Sequence, residues 1–254
     1  MTAIRWRSGP MGDDPFVQFF NREYEIGLLA RYLANGACCQ IVGPPGIGKS
    51  TLIERIVTCR TSPWDGYVFA VLRGADVHTA AQLVRKAGTA WGISAIPTTT
   101  AELSVAIESA RTDARRRVLV LDDFESITSN QSEFTTEFFL DLRAIAQKGV
   151  LMLTTSRAPL STLLPPGGPV SPFFALFAVI RLGPFESEVA SQFLESFAHS
   201  TGAFSATELD AIRAFGKNQP GRLMLAGSSI LEGRSVGMTT ADSLRHAEDQ
   251  LAAC

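Results

Sequence analysis

The sequence predicts an α/β fold in which a parallel sheet carries helices on both faces and is followed by a small helical domain. Short apolar runs alternate with segments of helical periodicity as far as about residue 182, which is typical of strand–helix–strand units. The apolar run Val118-Leu119-Val120-Leu121 is typical of a strand buried on both faces, and such strands belong to parallel sheets. After Gly183-Pro184 only helical segments remain.

The first predicted elements follow this alternation. Asn21 is a favourable N-cap for a helix that begins near Arg22, and Asn35-Gly36 is a signal for its end. An apolar strand over residues 38–42 and a glycine-rich loop lead to a second helix with apolar residues on one face. The next predicted elements are a strand and two helices, over residues 67–72, 79–91 and 101–116.

The remaining elements complete the sheet and then change character. The strand at 118–121 is followed by a helix, a strand, a loop rich in proline and glycine, and a last strand, over residues 133–148, 150–154, 159–172 and 178–182. Four more helices are predicted, over residues 186–200, 206–215, 222–231 and 240–251. We therefore expect a flexible tail, an α/β core and a helical subdomain, over residues 1–17, 18–183 and 184–254.

The composition excludes several classes of protein. With 46% hydrophobic and 19% charged residues, a chain of 254 residues can bury a core and is not disordered throughout. Its 23 basic and 25 acidic residues exclude binding to nucleic acid through net charge alone. None of the three histidines and four cysteines has metal-ligand spacing. The longest apolar run, residues 173–180, is too short to cross a bilayer, and no secretory signal is visible, so we expect a cytoplasmic protein without a membrane partner.

The eight residues 43–50, between the first predicted strand and the second helix, match the phosphate-binding pattern G-x4-G-K-[ST]. Their glycines let the backbone wrap around a phosphate at the N-terminus of a helix. Lys49 is expected to reach the β- and γ-phosphates, and the Ser50 hydroxyl is expected to bind Mg²⁺. The predicted nucleotide-binding residues are Gly43, Pro44, Pro45, Gly46, Ile47, Gly48, Lys49, Ser50 and Thr51.

Carboxylates end the predicted strand at 118–121. Ligands of open α/β sheets bind at the carboxyl ends of the strands, so Asp122 is expected to hold Mg²⁺, directly or through water. Asp123 is expected to accept a proton from the attacking water or to orient it, and Glu125 is a second candidate for that role. The simpler alternative is that two acidic residues end a strand and cap the next segment.

The segment Thr154-Thr155-Ser156-Arg157 ends the next strand. A hydroxyl there can contact the γ-phosphate, and Arg157 can respond to its presence; a solvated arginine at a strand end is the alternative. The strand at 67–72 leaves room for an additional strand in the sheet. Because no Asn-Lys-x-Asp motif, which reads guanine, occurs, ATP is favoured over GTP; an LSGGQ-like ABC signature is also absent. The sequence thus predicts a three-layer P-loop NTPase of the additional-strand type with a C-terminal helical lid.

Several of these segments together resemble one family. Residues 20–26, Phe-Asn-Arg-Glu-Tyr-Glu-Ile, with Leu29 after them, resemble the opening F-x-N-R-E-x-E-x-x-x-L of the STAND and archaeal-type ATPases, within the AAA+ (origin-recognition-like) assemblage. The P-loop, the acidic strand end, residues 155–157 and the segment Leu182-Gly183-Pro184-Phe185 are similar to the same group. Residues 216–221, Gly-Lys-Asn-Gln-Pro-Gly, resemble the G-G-x-P turn of the family's helical lid.

This resemblance implies further roles. Asn21 and Arg22 would line the base and ribose side of the nucleotide, and Pro220 would pack near the adenine. Arg157 would be the sensor arginine. Arg222 would reach the phosphates from the lid, unless it is a solvated arginine at a helix start.

The motifs favour a Mg²⁺-dependent ATPase that acts as a switch, whose nucleotide state sets the position of the lid and assembly with a second copy or a partner protein. A DNA-associated AAA+ ATPase of the replication-initiation or transposition-helper type is the alternative, supported by Arg115-Arg116-Arg117 and the lid arginines. That cluster is more simply explained by favourable charge at a helix C-terminus. Archaeal-type members often have Glu where this chain has Asp123, so slow hydrolysis, or a nucleotide-binding scaffold without turnover, is also open.

Overall fold

The computed structural model describes residues 22–59, 61–109, 114–164, 173–201 and 204–252. These residues fall into two compact units. The α/β unit is Arg22–Gly183, and the helical unit consists of the described residues from Pro184 onward. Each unit is described by itself below.

The α/β unit is built on a sheet of five parallel strands. The strands are β1 (Cys38–Val42), β2 (Tyr67–Arg73), β3 (Arg116–Asp122), β4 (Leu151–Ser156) and β5 (Phe177–Arg181), in the spatial order β2-β3-β4-β1-β5. Strand β4 lies between β1 and β3, which is the additional-strand arrangement, whereas β2 lies at the edge of the sheet. The predicted three-layer α/β fold is therefore confirmed.

The described residues of the α/β unit also form seven helices, one before β1 and six between the strands. They are α1 (Glu23–Ala34), α2 (Lys49–Thr58), α3 (Ala80–Ala90), α4 (Thr100–Ser109), α5 (Phe124–Thr128), α6 (Thr136–Gln147) and α7 (Leu160–Leu163). Two 3₁₀ turns, Gly74–Asp76 and Phe173–Leu176, follow β2 and precede β5. The hydroxyls of Thr79 and Thr135 accept hydrogen bonds from backbone N–H groups in the first turns of α3 and α6, so side-chain caps define where these helices begin.

Several predicted boundaries were wrong. The N-cap of α1 is Arg22, and Asn21 lies outside the described residues. Helix α4 ends at Ser109, and β3 begins at Arg116, which had been assigned to the helix. Helices α5 and α7 and the 3₁₀ turns were not predicted, because elements of three to five residues are too short to show a periodicity. Of the predicted loop over 159–172, residues 165–172 lie outside the described part of the chain.

Arg116 contacts the C-terminus of α1. Its Nη1 donates hydrogen bonds to the carbonyl oxygens of Leu33 and Ala34, at 2.7 and 3.0 Å. These carbonyls belong to the last turn of the helix, where a cation is favourable. The basic cluster is thus explained in part by a helix C-terminus, but the helix is α1 and not the preceding α4.

Four aromatic rings anchor the segment that follows β3. The Phe124 side chain is fully buried, with its ring centroid 5.8 Å from that of Phe139 and 6.4 Å from that of Phe173. The Phe173 ring in turn contacts that of Phe177, the first residue of β5, at 5.0 Å. Because Phe124 follows Asp123 directly, this packing holds the end of β3 against the core.

The helical unit contains four helices, α8 (Ser187–Thr201), α9 (Ala206–Gly216), α10 (Pro220–Ser235) and α11 (Thr240–Ala252). Its core includes the rings of Phe193, Phe197 and Phe204, whose neighbouring centroids lie 6.5 and 5.9 Å apart. Pro220 is the first residue of α10, a position where its missing N–H has no intrahelical partner to lose.

We expect Glu208 to make the stability of the helical unit pH-dependent. Its carboxylate accepts hydrogen bonds from Arg234 and from the backbone and hydroxyl of Ser205, and the Arg234 bonds above all lower its pKa from 4.5 to about 2. A depressed pKa stabilises the fold above the unfolded value, so this contribution is lost as the pH falls from about 4.5 towards 2. Denaturant unfolding followed by circular dichroism between pH 2 and pH 7 measures it.

Two glutamine variants, one at Glu208 and one at a control position, test this prediction. Glu208→Gln should flatten the acid limb of the stability curve, whereas Glu248→Gln, at an exposed residue of α11, should leave that limb unchanged. Identical acid limbs for the wild type and Glu208→Gln would contradict the assignment.

Candidate nucleotide-binding site

The P-loop connects the carboxyl end of β1 to α2. Gly46 and Gly48 have φ angles of +71° and +97°, which side chains with a Cβ rarely adopt, so both positions require glycine. Gly48 is the N-cap residue of α2 and, having no side chain, makes no cap hydrogen bond to the first turn of this helix. The N–H groups of that turn are therefore available to an anion.

Lys49 places its amino group over this loop. Its Nζ donates hydrogen bonds to the carbonyl oxygens of Gly43 and Pro44, at 2.7 and 3.1 Å. Burial lowers the pKa of Lys49, and the negative charges of Glu125, Asp122 and other nearby carboxylates act in the opposite direction. The loop thus carries a partly desolvated cation beside free helix N–H groups, a favourable environment for phosphate oxygens.

Asp122 joins three elements at the carboxyl ends of the strands. The Ser50 hydroxyl, in the first turn of α2, donates to Asp122 Oδ1 at 3.1 Å. The Thr155 hydroxyl, on β4, donates to the same oxygen at 2.5 Å and accepts the backbone N–H of Asp123 at 2.9 Å. Asp122 is 6% exposed, and these two donors satisfy its buried carboxylate. The two predicted metal-binding residues are therefore in direct contact.

Asp123 follows β3 in an unusual backbone conformation. Its φ angle is +59°, in the left-handed region, and its Oδ2 accepts a hydrogen bond from the hydroxyl of Ser126 at 2.5 Å. The carboxylate that the sequence predicted to be the catalytic base is thus held within its own turn, between β3 and α5.

Glu125 and Arg157 meet beside the same strand ends. The backbone N–H of Arg157, directly after β4, donates to Glu125 Oε1. The Arg157 side chain is exposed, and its positive charge acts on Lys49. The sensor role of Arg157 stays a prediction, and the structure gives Glu125 a partner that the sequence could not reveal.

The Arg22 side chain contacts other groups within the α/β unit. It pairs with Glu25 at 3.0 Å, and its Nη2 donates to the carbonyl oxygens of Gly183 at 2.8 Å and Ile47, in the P-loop, at 3.4 Å. Only 7% of the residue is exposed. The guanidinium group thus holds the P-loop through the carbonyl oxygen of Ile47. The role of Arg22 beside the base and ribose stays a prediction.

The other predicted site residues lie elsewhere in the chain. Pro220 and Arg222 belong to the first turn of α10, in the helical unit, and the Arg222 guanidinium lies 5.2 Å from the centroid of the Phe215 ring. Asn21 lies outside the described residues. The proposed contacts of Pro220 and Arg222 with a nucleotide therefore stay predictions.

The residues at the loop fit ATP with Mg²⁺. The hydroxyl of Ser50 and the carboxylate of Asp122 are hard oxygen ligands of the kind that Mg²⁺ prefers. Among the described residues no group of three His, Cys, Asp or Glu side chains could hold a metal by itself. A magnesium ion here would take its further ligands from phosphate oxygens and water, as is usual for Mg²⁺ at nucleotide sites.

Adjacent threonines of β4 provide a matched test of the Asp122 contact. Thr154 and Thr155 are both fully buried, but the Thr154 hydroxyl has no hydrogen-bond partner among the described residues. We expect Thr154→Val to raise the free energy of unfolding by about 1 kcal/mol, and Thr155→Val to lower it by about 2 kcal/mol, because the latter leaves Asp122 and the Asp123 N–H with fewer partners. Urea unfolding measures both; a stabilising Thr155→Val would contradict the role of this hydroxyl.

No described helix is long and apolar enough to cross a membrane. The parallel sheet in the order β2-β3-β4-β1-β5, with a P-loop after β1 and the Ser50–Asp122 pair beside it, defines a P-loop nucleotide-binding protein. The chain belongs to the AAA domain family, which matches residues 33–163, more than half of its length. No curated protein sequence matches the chain.

Solved structures with the same fold include three archaeal proteins. The ORC1 protein of Aeropyrum pernix in complex with DNA has a TM-score of 0.68 at 13% identity, over 92% of this chain and 66% of that one. The ORC2 protein of the same organism, in ADPNP–ADP complexes, has a TM-score of 0.69 at 16% identity, over 93% of this chain and 71% of that one. A Walker-type ATPase of Pyrococcus abyssi has a TM-score of 0.66 at 15% identity, over 92% of this chain and 74% of that one. This chain therefore spans about two thirds of the length of ORC1.

Proposed function

We propose that this protein is an ATP-dependent molecular switch of the STAND or archaeal type, which binds ATP with Mg²⁺ and hydrolyses it. The observation that carries the proposal is the contact of Ser50 with Asp122 beside the P-loop, since it combines a metal-binding pair with a phosphate cradle. Membership of the AAA domain family and the ADPNP–ADP complexes of the ORC2 protein support a nucleotide as the ligand.

Each proposed role rests on the chemistry of the group. The N–H groups of the first turn of α2 and the Lys49 ammonium would bind the β- and γ-phosphates. Ser50 and Asp122 would hold Mg²⁺, which supplies charge neutralisation at the γ-phosphate when bound. Arg157 would respond to the γ-phosphate, and one of the two carboxylates that follow Asp122 would orient the attacking water.

The output of the switch would be assembly. We propose that the nucleotide state controls the position of the helical lid, residues 184–254, and thereby association with a second copy or with a partner protein. The test measures ATP and ADP binding by calorimetry and molecular mass by light scattering without nucleotide, with ADP and with ATP. Tight binding with an ATP-dependent change of mass supports the proposal. Binding without any change of mass, alone or with co-purified partners, contradicts the switch.

A DNA-associated ATPase is the second candidate. It is favoured by the fold shared with the DNA-bound ORC1 protein of Aeropyrum pernix and with Drosophila ORC bound to DNA. Against it, Arg116 is already engaged with the C-terminus of α1. Fluorescence anisotropy with labelled duplex DNA, with and without ATP at low and high salt, decides between the two. DNA binding that needs ATP and weakens with salt favours the DNA-associated ATPase.

A further inference from the structure

The Arg22 side chain joins the P-loop to the chain that follows β5. One guanidinium nitrogen, Nη2, donates to the carbonyl oxygens of both Gly183 and Ile47, at 2.8 and 3.4 Å. Nη1 pairs with the carboxylate of Glu25 at 3.0 Å. Both side chains of this ion pair are largely buried. The guanidinium group is therefore a buried bridge between two backbone segments that are distant in the chain.

The Gly183 end of this bridge is held by the sheet. The N–H of the preceding residue, Leu182, donates to the carbonyl oxygen of Val42, at the end of β1, at 2.8 Å. A Cβ on Gly43, the first residue of the P-loop, would lie 2.8 Å from the carbonyl oxygen of Leu182, so the two segments are in close contact. Arg22 is thus anchored on a segment that the sheet fixes, and the loop is the part that it can position.

Ile47 is the loop residue whose carbonyl the bridge holds. The peptide between Ile47 and Gly48 is trans, so the Gly48 N–H points away from this carbonyl and from Arg22. Gly48 has no Cβ and accepts φ angles of either sign, so the residue does not fix the orientation of this peptide by itself. The hydrogen bond from Arg22 therefore favours the observed orientation over the flipped one. Because Gly48 directly precedes α2, that orientation decides whether its N–H joins those of the first turn as a phosphate donor.

The pairing with Glu25 distinguishes this role from simple attraction of an anion. The carboxylate offsets the charge of Arg22 at a distance of 3.0 Å, so the net field of the pair at a phosphate is small. What remains is the direction of the N–H donors. The planar guanidinium group can hold a carboxylate and backbone carbonyls at the same time, which an amino group on a flexible chain does less well.

We infer that Arg22 is a positioning residue for the phosphate cradle, because it holds the peptide between Ile47 and Gly48 so that the Gly48 N–H is directed at a phosphate oxygen. The inference rests on the proposed nucleotide-binding function and names the part of the ligand that depends on Arg22. That part is the polyphosphate chain, which ATP shares with inorganic tripolyphosphate. Its donors are directed at protein groups, so Arg22 serves the phosphates through the loop and not by contact with the base or ribose.

Calorimetry with ATP and with inorganic tripolyphosphate, each with Mg²⁺, tests this role, since tripolyphosphate has no base or ribose. We expect Arg22→Met, which removes the donors, to weaken the binding of both ligands by the same factor, about tenfold. Glu25→Gln keeps an acceptor for Nη1 but removes the charge, and it should leave both affinities within about threefold of the wild type. Arg31→Met, at an exposed residue of the same helix, should change them less than about twofold.

Nuclear magnetic resonance can follow the Gly48 N–H itself. The sequence contains two Ile-Gly dipeptides, residues 26–27 and 47–48, so ¹³C-carbonyl isoleucine with ¹⁵N-glycine selects the amide signals of Gly27 and Gly48. We expect a single Gly48 signal in the wild type and a shifted or doubled one in Arg22→Met, because the peptide is no longer held in one orientation. Gly27, within α1, is the internal control and should keep a single signal.

The outcomes separate the inference from the proposed function. An Arg22→Met variant that binds ATP less tightly but tripolyphosphate as before would place the residue at the base or ribose and overturn the inference. An unchanged Gly48 signal would also overturn it, and so would tighter binding of both ligands by Glu25→Gln, which would indicate attraction by charge. A wild-type protein that binds neither ligand would instead overturn the proposed function.

A second variant covers a loss of folding. If Arg22→Met loses the Gly27 signal, the fold itself has changed. Arg22→Lys then takes its place, because it keeps the charge and the pairing with Glu25 but not the planar group. We expect it to weaken the binding of ATP and tripolyphosphate by a common factor of about threefold and to shift the Gly48 signal. Wild-type affinities and an unshifted Gly48 signal in Arg22→Lys would overturn the inference.

Discussion

Replacement of Lys49 by alanine is expected to weaken ATP binding by about 100-fold or more. The ammonium is partly desolvated and lies over the loop with its Nζ on the carbonyl oxygens of Gly43 and Pro44, so it can turn to phosphate oxygens without leaving the cradle. Charge-assisted hydrogen bonds contribute about 1.5–3 kcal/mol each, and about 1.4 kcal/mol corresponds to a tenfold change in affinity. Isothermal titration calorimetry with ATP and Mg²⁺ measures the loss directly.

A second lysine of the α/β unit is the matched control. Lys148 pairs at 2.7 Å with Glu108 and is substantially exposed, so Lys148→Ala should change ATP affinity by less than about twofold. Thermal unfolding of Lys49→Ala should stay close to that of the wild type, since the substitution removes contacts to loop carbonyls only. Retention of wild-type affinity by Lys49→Ala would contradict the phosphate role of this residue.

Gly74→Ala is expected to give the largest loss of stability, about 3 kcal/mol in the free energy of unfolding. A Cβ on Gly74 would lie 2.2 Å from the carbonyl oxygen of Asp123 and 3.0 Å from the Cβ of Ser126. Because the nearest atom is backbone, the 3₁₀ turn after β2 and the turn after β3 would have to separate. The same movement would displace Asp123, so the proposed hydrolysis should fall as well.

Gly66→Ala provides the comparison for Gly74. A Cβ at Gly66 would meet no atom within 4 Å, and the residue is exposed. Its effect on the free energy of unfolding should stay within about 0.5 kcal/mol. Urea unfolding by circular dichroism measures both variants, and equal stabilities of Gly74→Ala and Gly66→Ala would contradict the close approach of the two turns.

Much of the fold could be predicted because the decisive patterns are local. Strand β1 and helix α2 were predicted from an apolar run and a helical periodicity on either side of the P-loop. The boundary between α4 and β3 could not be predicted, because the position of Arg116 depends on hydrogen bonds to carbonyls of α1, far away in sequence. Short elements such as α5 depend on tertiary packing of Phe124 rather than on their own periodicity.

Part of the nucleotide site could likewise be predicted from local motifs, and part depends on tertiary contacts. The P-loop residues and Asp122 follow from motifs of fixed spacing, and the structure places the Ser50 hydroxyl on the Asp122 carboxylate. The choice between Asp123 and Glu125 does not follow from spacing. The structure adds the positive φ of Asp123 and the bond from the Arg157 backbone N–H to Glu125, and neither is encoded in a motif.

The sequence by itself therefore determined the class of fold, the phosphate-binding loop and the acidic end of β3, because each is encoded within a few adjacent residues. The tertiary structure alone decided which strands are neighbours, that Arg116 contacts α1 and that Glu125 accepts the backbone N–H of Arg157. These features depend on groups that are distant in the chain and meet only when the sheet has formed. The predicted nucleotide site thus gains from the structure the contact of the Thr155 hydroxyl with Asp122, because β3 and β4 become neighbours only in the folded sheet.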